Sequence, residues 1–208
     1  MNAHSLDTTL SAPASLAAPA PEARSTPPGD LAIWFFILAE LLVFAVFFAA
    51  YAFARAQDVA LFNAMQDHLD RNAGGINTVL LITASWCVAR AVRAVCEHGR
   101  SATGAHWLAA AIACGGGFLA LKCVEYAGKF AAGISLSTNT FWMFYLSLTF
   151  FHFMHVILGL VILSILWLQT RRGGYGPGHA NGLESGAAYW HMVDLVWIVL
   201  FPLVYVMR

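Results

Sequence analysis

Residues 31–54 read LAIWFFILAELLVFAVFFAAYAFA, an unbroken apolar stretch with a single charged side chain, Glu40. As a helix rising 1.5 Å per residue it would reach roughly 36 Å, enough to cross the ~30 Å hydrocarbon core of a bilayer. Comparable stretches follow at about 74–96, 104–127, 138–169 and 187–207. The chain as a whole is 60% hydrophobic and 11% charged, against about 45–50% and about 25% in soluble domains. The expected fold is therefore all-α: a polytopic membrane protein built as a bundle of five transmembrane helices.

Local signals punctuate these spans. Residues 1–29 are rich in Ala, Pro, Ser and Thr and lack a periodic apolar face, so they read as a disordered tail. No basic region precedes an apolar one there, so the tail is not a secretory signal. Pro28-Gly29-Asp30 ends it and offers Asp30 as a helix N-cap. Gly75-Ile76-Asn77-Thr78 opens the second span, and Cys114-Gly115-Gly116-Gly117 lies within the third, where glycine permits close helix approach. Ser137-Thr138-Asn139 opens the fourth, Arg171-Arg172 follows it, and residues 173–178 form a glycine-rich loop. Five crossings place the termini on opposite faces. Arg24, Arg90, Arg93, Arg100, Arg171 and Arg172 fall on the N-terminal side, and Arg55, Arg71, Lys129 and Arg208 on the other. This bias favours a cytoplasmic N-terminus. Formal net charge is zero, so nucleic-acid binding has no electrostatic footprint. Cys87, Cys96, Cys114 and Cys123 form no Cys-x-x-Cys pair and read as small buried hydrophobes.

Ionisable residues inside the spans carry the functional information, because a charge at mid-bilayer costs at least ~2.5–3.5 kcal/mol. Glu40 lies roughly 15 Å into the first span with no partner in its own turn. It is either a neutral acid tying two helices together or a proton-handling or lipid-contacting site. His152 and His155 are one turn apart in the fourth span, and His191 and Asp194 one turn apart in the fifth. The four fall at similar depth, so a His–Asp network joining these two spans is the expected compensation for Asp194. Lys122 and Glu125, again one turn apart, read as an ion pair at the membrane interface. Trp142, Tyr145, Trp190 and Trp197 suit packing. Three histidines and a carboxylate would suffice chemically for a metal, and lone histidines could ligate haem. The paired Glu-x-x-His of di-iron bundles is absent, however, since Thr149 and Ala188 stand where it needs Glu. No catalytic residue, metal or cofactor is assigned.

Together these segments resemble subunit III of the haem-copper oxidase family. Glu40 within Ile37-Leu38-Ala39-Glu40-Leu41-Leu42 is similar to the family's buried, carbodiimide-reactive carboxylate. Ile76-Asn77-Thr78, Lys122-Cys123-Val124-Glu125-Tyr126, Phe151-His152-Phe153-Met154-His155-Val156 and Tyr189-Trp190-His191-Met192-Val193-Asp194 resemble its other motifs, in its order. Glu184 stands where the family often has an acid before the last helix. The resemblance runs from about Asp30 to the C-terminus. It departs from the seven-helix form by lacking the first two helices, which wall a lipid-filled cleft. Among five-helix forms, Pro28-Gly29-Asp30, residues 136–140 and the Tyr-Trp-His-Met-Val-Asp string look most like the E-type protein associated with bacterial nitric oxide reductase.

That resemblance implies an accessory subunit without redox chemistry of its own. It would sit in a bacterial inner membrane, C-terminus periplasmic, packed against a catalytic haem-containing subunit and in contact with phospholipid. The expected partner is nitric oxide reductase of denitrification, with a terminal cytochrome c or quinol oxidase as the alternative. A proton-coupled transporter using Glu40, His152, His155 and Asp194 is the alternative of another class. Internal repeats and broken helices, common in transporters, are not evident.

Overall fold

Short polar side chains start several of the helices. The carboxylate of Asp58 accepts from the Leu61 amide at 3.0 Å, Asp70 from those of Asn72 and Ala73, and the Asn139 side chain from that of Trp142 at 2.9 Å. Each satisfies donors that the first turn leaves without an internal partner. At the other ends, Gly133 (φ 76°) and Gly173 (φ 72°) adopt the left-handed conformation that closes a helix without a Cβ clash. In this computed structural model, which describes residues 31–207, the elements are α1 Leu31–Gln57, α2 Val59–Gln66, α3 Arg71–Cys96, α4 Ser101–Ala131, α5 Thr140–Arg171 and α6 Asn181–Phe201. A π-helical turn, Pro202–Val206, continues α6. The tail at 1–29, the Asp30 cap and Arg208 lie outside the described residues. Five helices are long and apolar enough to span a membrane: α1, α3, α4, α5, and α6 with its π turn. The fold is an all-α polytopic bundle.

Two local features differ from the sequence expectation. The short helix α2 fills the connection between the first two spans. The last helix starts at Asn181, ahead of the expected 187, although Gly182 and Gly186 weaken helix propensity there. Packing overrides propensity: Leu183 and Gly186 are buried, and a Cβ on Gly186 would lie 2.5 Å from Leu166 Cδ1. At the far end Pro202 has no amide hydrogen to continue the ladder. The backbone widens instead, and Met207 N donates to Pro202 O at 2.8 Å. Helix α2 covers this end. Buried Gln66 donates to Val204 O at 2.9 Å, and Arg55 donates to Met207 O at 2.6 Å and to Asn63 Oδ1 at 2.9 Å.

Helices α3, α4, α5 and α6 form a closed ring, each packed on two neighbours, and α1 lies outside on α6 and α5. The buried residues of α1 are Ile37, Phe44 and Tyr51, a seven-residue spacing that draws one narrow seam along the helix. The rest of α1 presents Phe35, Leu38, Leu42, Val46 and Phe53 outward, as a lipid-facing helix does. Glycine sets the ring's tightness. The wholly buried Trp190 ring on α6 lies against two of them, so a Cβ on Gly115 of α4 would come within 2.8 Å of it and one on Gly159 of α5 within 2.9 Å. Without a strong hydrophobic drive between helices in lipid, such close approach supplies the association energy. Gly116, one residue along, faces open space.

Gly159→Ala should therefore destabilise the purified protein by about 1–3 kcal/mol, the usual cost of overpacking a filled site. Gly116→Ala should leave the thermal midpoint in detergent unchanged; equal behaviour of the two would contradict the notch.

Candidate functional site

Among the described residues, three of the places where helices bring polar side chains together hold the ionisable residues singled out in the sequence. The most completely buried centres on Lys122 of α4, whose side chain is 1% exposed. Its ammonium donates to Glu125 Oε2 at 2.9 Å and to the Tyr205 hydroxyl at 2.6 Å. Glu125 also accepts from Tyr205 at 2.9 Å and from Tyr145 of α5, and the two tyrosine hydroxyls are 3.2 Å apart. The faces of Trp197, Tyr205, Tyr126 and Tyr145 lie 5.1–5.7 Å from the ammonium, within cation–π range. Lys122 and Glu125 thus form the expected ion pair. Helical spacing holds, but the pair sits inside the bundle, where only a fully hydrogen-bonded charge is tolerable. Tyr145 and Tyr205 complete it, and sequence reading gave neither a polar role. The signal was available: a lysine and a glutamate inside an apolar helix need further donors and acceptors from neighbouring helices.

The second place joins α1 to α5. His155 Nε2 and Glu40 Oε2 are 3.0 Å apart, with side-chain exposures of 11% and 22%. His155 Nδ1 lies 2.8 Å from the carbonyl oxygen of Phe151. A carbonyl can only accept, so Nδ1 carries a hydrogen. The contact to Glu40 therefore holds one shared proton, whether on the carboxyl or on the imidazole. Phe44 and Phe151 flank the imidazole edge-on at 5.1 and 4.6 Å between ring centres. Glu40 occupies the buried seam of α1, one turn from both Ile37 and Phe44, which is why its carboxyl reaches α5.

The third lies between α3 and α6. His191 Nδ1 is 2.6 Å from Ser85 Oγ, and Ser85 also stands beside Asp194. One Asp194 carboxyl oxygen is buried and has no hydrogen-bond partner among the described residues. His152 is fully buried among Phe44, Phe118 and Trp197, with neither ring nitrogen bonded among the described residues.

These positions revise the expected His–Asp network between the fourth and fifth spans. None of His152, His155 and His191 bonds to Asp194. Three residues along a helix turn a side chain by about 300°, leaving it about 60° off the first one's direction, and that offset separates each pair. His155 turns to α1 while His152 turns to α4 and α6; His191 turns to Ser85 and is exposed, while Asp194 is buried. Among the described residues no group of three His, Cys, Asp or Glu side chains is placed to hold a metal ion.

Residues 30–208 match the family described as cytochrome c oxidase subunit III. The chain belongs to this family. A cytochrome c oxidase subunit 3 of Synechocystis is 35% identical over 83% of the chain and 72% of its own length. One from Thermostichus vulcanus is 31% identical over 85% of the chain and 86% of its own length. A quinol oxidase subunit 3 of Bacillus subtilis is 28% identical over 85% of the chain and 86% of its own length. The subunit III fold therefore spans everything from α1 onward, and the clusters around Lys122, Glu40 and Asp194 lie within it. Subunit III is a non-catalytic accessory subunit of haem-copper oxidases, so the chain is not an enzyme by itself. These three relatives are named as cytochrome c or quinol oxidase subunits, which favours the terminal-oxidase reading over the nitric oxide reductase one.

The Lys122 cluster makes a specific energetic prediction. Lys122→Met leaves Glu125 buried without its counter-charge and should cost about 3–5 kcal/mol. Lys122→Met combined with Glu125→Leu removes both charges and should be more stable than Lys122→Met alone, as read by unfolding in detergent. A double variant no more stable than the single would contradict the cost assigned to the unpaired Glu125.

Proposed function

We propose that this protein is the accessory subunit III of a bacterial terminal oxidase, either a cytochrome c or a quinol oxidase, set in the inner membrane with its N-terminus cytoplasmic and its C-terminus periplasmic. The observation that carries the proposal is the family match across residues 30–208, joined to relatives named as oxidase subunits 3. The chemistry of the site supports it. Lys122 and Glu125 answer each other and two tyrosines, and Glu40 answers His155, so both clusters join helices. In this reading the protein packs against the haem-containing catalytic subunit and supports its assembly and stability. Phospholipid enters the proposal as the occupant of a mainly apolar groove of about 910 Å³ between α1, α3 and α6, walled by Ile37, Leu41, Val92 and Leu195 and bordered by Arg93, Glu97, Glu184 and His191.

Mild-detergent pull-down of the tagged full chain from native membranes should recover a copper-containing oxidase. Recovery of a haem-containing nitric oxide reductase in its place would return the partner to denitrification, and reproducible recovery of neither would overturn the accessory role. In the recovered complex, Glu40→Gln keeps a donor for His155 Nε2 but removes the acid. Yield and turnover should both stay close to those of the unaltered complex; normal yield with lost turnover would assign this pair an obligatory proton role.

A further inference from the structure

The connection between α3 and α4 closes tightly at Gly99 (φ 61°), bringing the last turns of α3 against the first turns of α4. A pocket of about 160 Å³ opens there, lined by Arg90, Arg93, His98, Arg100, Thr103 and Trp107. Its charge is one-sided. Three guanidinium groups face it, against the single carboxylate of Glu97, which pairs with Arg93 at 2.8 Å and lies 3.9 Å from His98. That Arg93–Glu97 pair is exposed on both sides, so it holds Arg93 only weakly. Arg90 and Arg100 have no carboxylate partner among the described residues. Arg90 is nevertheless held in place: its guanidinium lies 5.7 Å from the centre of the Trp86 ring and 5.5 Å from that of Trp107. The two indoles meet edge to face at 5.1 Å.

Depth and chemistry agree on one ligand class. Arg90 stands six residues before the end of α3, roughly 9 Å along the helix axis, beside two tryptophans of the kind that sit at headgroup level. Guanidinium forks fit phosphate oxygens in bidentate fashion. Basic pockets between transmembrane helices bind anionic headgroups. An arginine that served only to orient the chain in the membrane would need neither the two-indole wall nor two further guanidiniums converging on the same space.

We propose that Arg90, Arg93 and Arg100, backed by Thr103 and Trp107, bind the phosphodiester of an anionic phospholipid headgroup at the α3–α4 end of the bundle. The site is separate from the α1–α3–α6 groove: Arg93 borders both, but Arg90, Arg100 and Trp107 do not line the groove. It does not depend on which oxidase is the partner.

The test is native mass spectrometry of the full chain in detergent, titrated with phosphatidylglycerol or with zwitterionic phosphatidylcholine. Phosphatidylglycerol should bind preferentially. Arg90→Gln with Arg100→Gln should weaken it at least about tenfold, the scale of one lost charge-assisted hydrogen bond. Arg90→Lys keeps the charge and loses the fork, so it should fall between, and Lys129→Gln at the opposite end of α4 should have no effect. Equal binding of the two lipids, or undiminished phosphatidylglycerol binding by the double variant, would overturn the proposal. Displacement of the lipid by equimolar inorganic phosphate would assign the pocket to the free ion and overturn the lipid reading. Both altered arginines are exposed on the surface. Comparing the thermal midpoints of the variants shows whether any loss of binding comes from unfolding.

Discussion

A lysine ammonium buried between helices sets the terms for one end of this molecule. Lys122 cannot reach water, so its charge must be answered by groups that the fold delivers. Glu125 comes from one turn along α4, Tyr145 from α5, and Tyr205 from the π turn after α6. That last contribution needs the helix widened at Pro202 and its closing carbonyls covered by Gln66 and Arg55. The ion pair, the π turn and the short helix α2 are thus parts of one arrangement, and a change in any of them is felt by the others. Such a cluster is a weak source of net stability. Its effect is to fix how α4, α5 and the C-terminal turn meet.

The fold was legible because lipid imposes a blunt rule. Backbone polar groups must be satisfied within each span, so a long apolar stretch such as residues 31–54 has little alternative to a helix. The start signal ending at Asn139 and the glycines on α4 could be read for the same reason: each rests on local chemistry. What could not be read rests on relations between distant residues. The start of α6 at Asn181 depends on Leu166 and Ile162 receiving Gly186. Helix α2 depends on the carbonyls of the π turn, more than a hundred residues away.

The candidate site divides along the same line. Lys122–Glu125 was visible as a helical pair, but its burial was not, since burial depends on which neighbours surround it. Glu40 was visible as a buried acid needing a partner. The partner turned out to be His155, the histidine that sequence depth alone had grouped with Asp194. Equal depth does not mean shared direction, and the 60° offset between residues three apart decides which neighbour each one meets. Ser85 gave no warning at all, being an ordinary hydroxyl until α3 and α6 are placed side by side.

The seam of α1 has a consequence in time. Among the long helices α1 packs on α5 and α6, which follow it late in the chain, while the short α2 meets it at Tyr51 and Arg55. Glu40 and His155 are 115 residues apart. At synthesis rates of 5–20 residues per second the acid waits roughly 6 to 23 seconds for its imidazole. During that interval Glu40 lacks its imidazole partner, and the α1 seam at Ile37 and Phe44 has neither α5 nor α6 to pack on. The nascent chain thus passes through a stage in which α1 is made but lacks its long-helix neighbours, and arrival of α5 ends it.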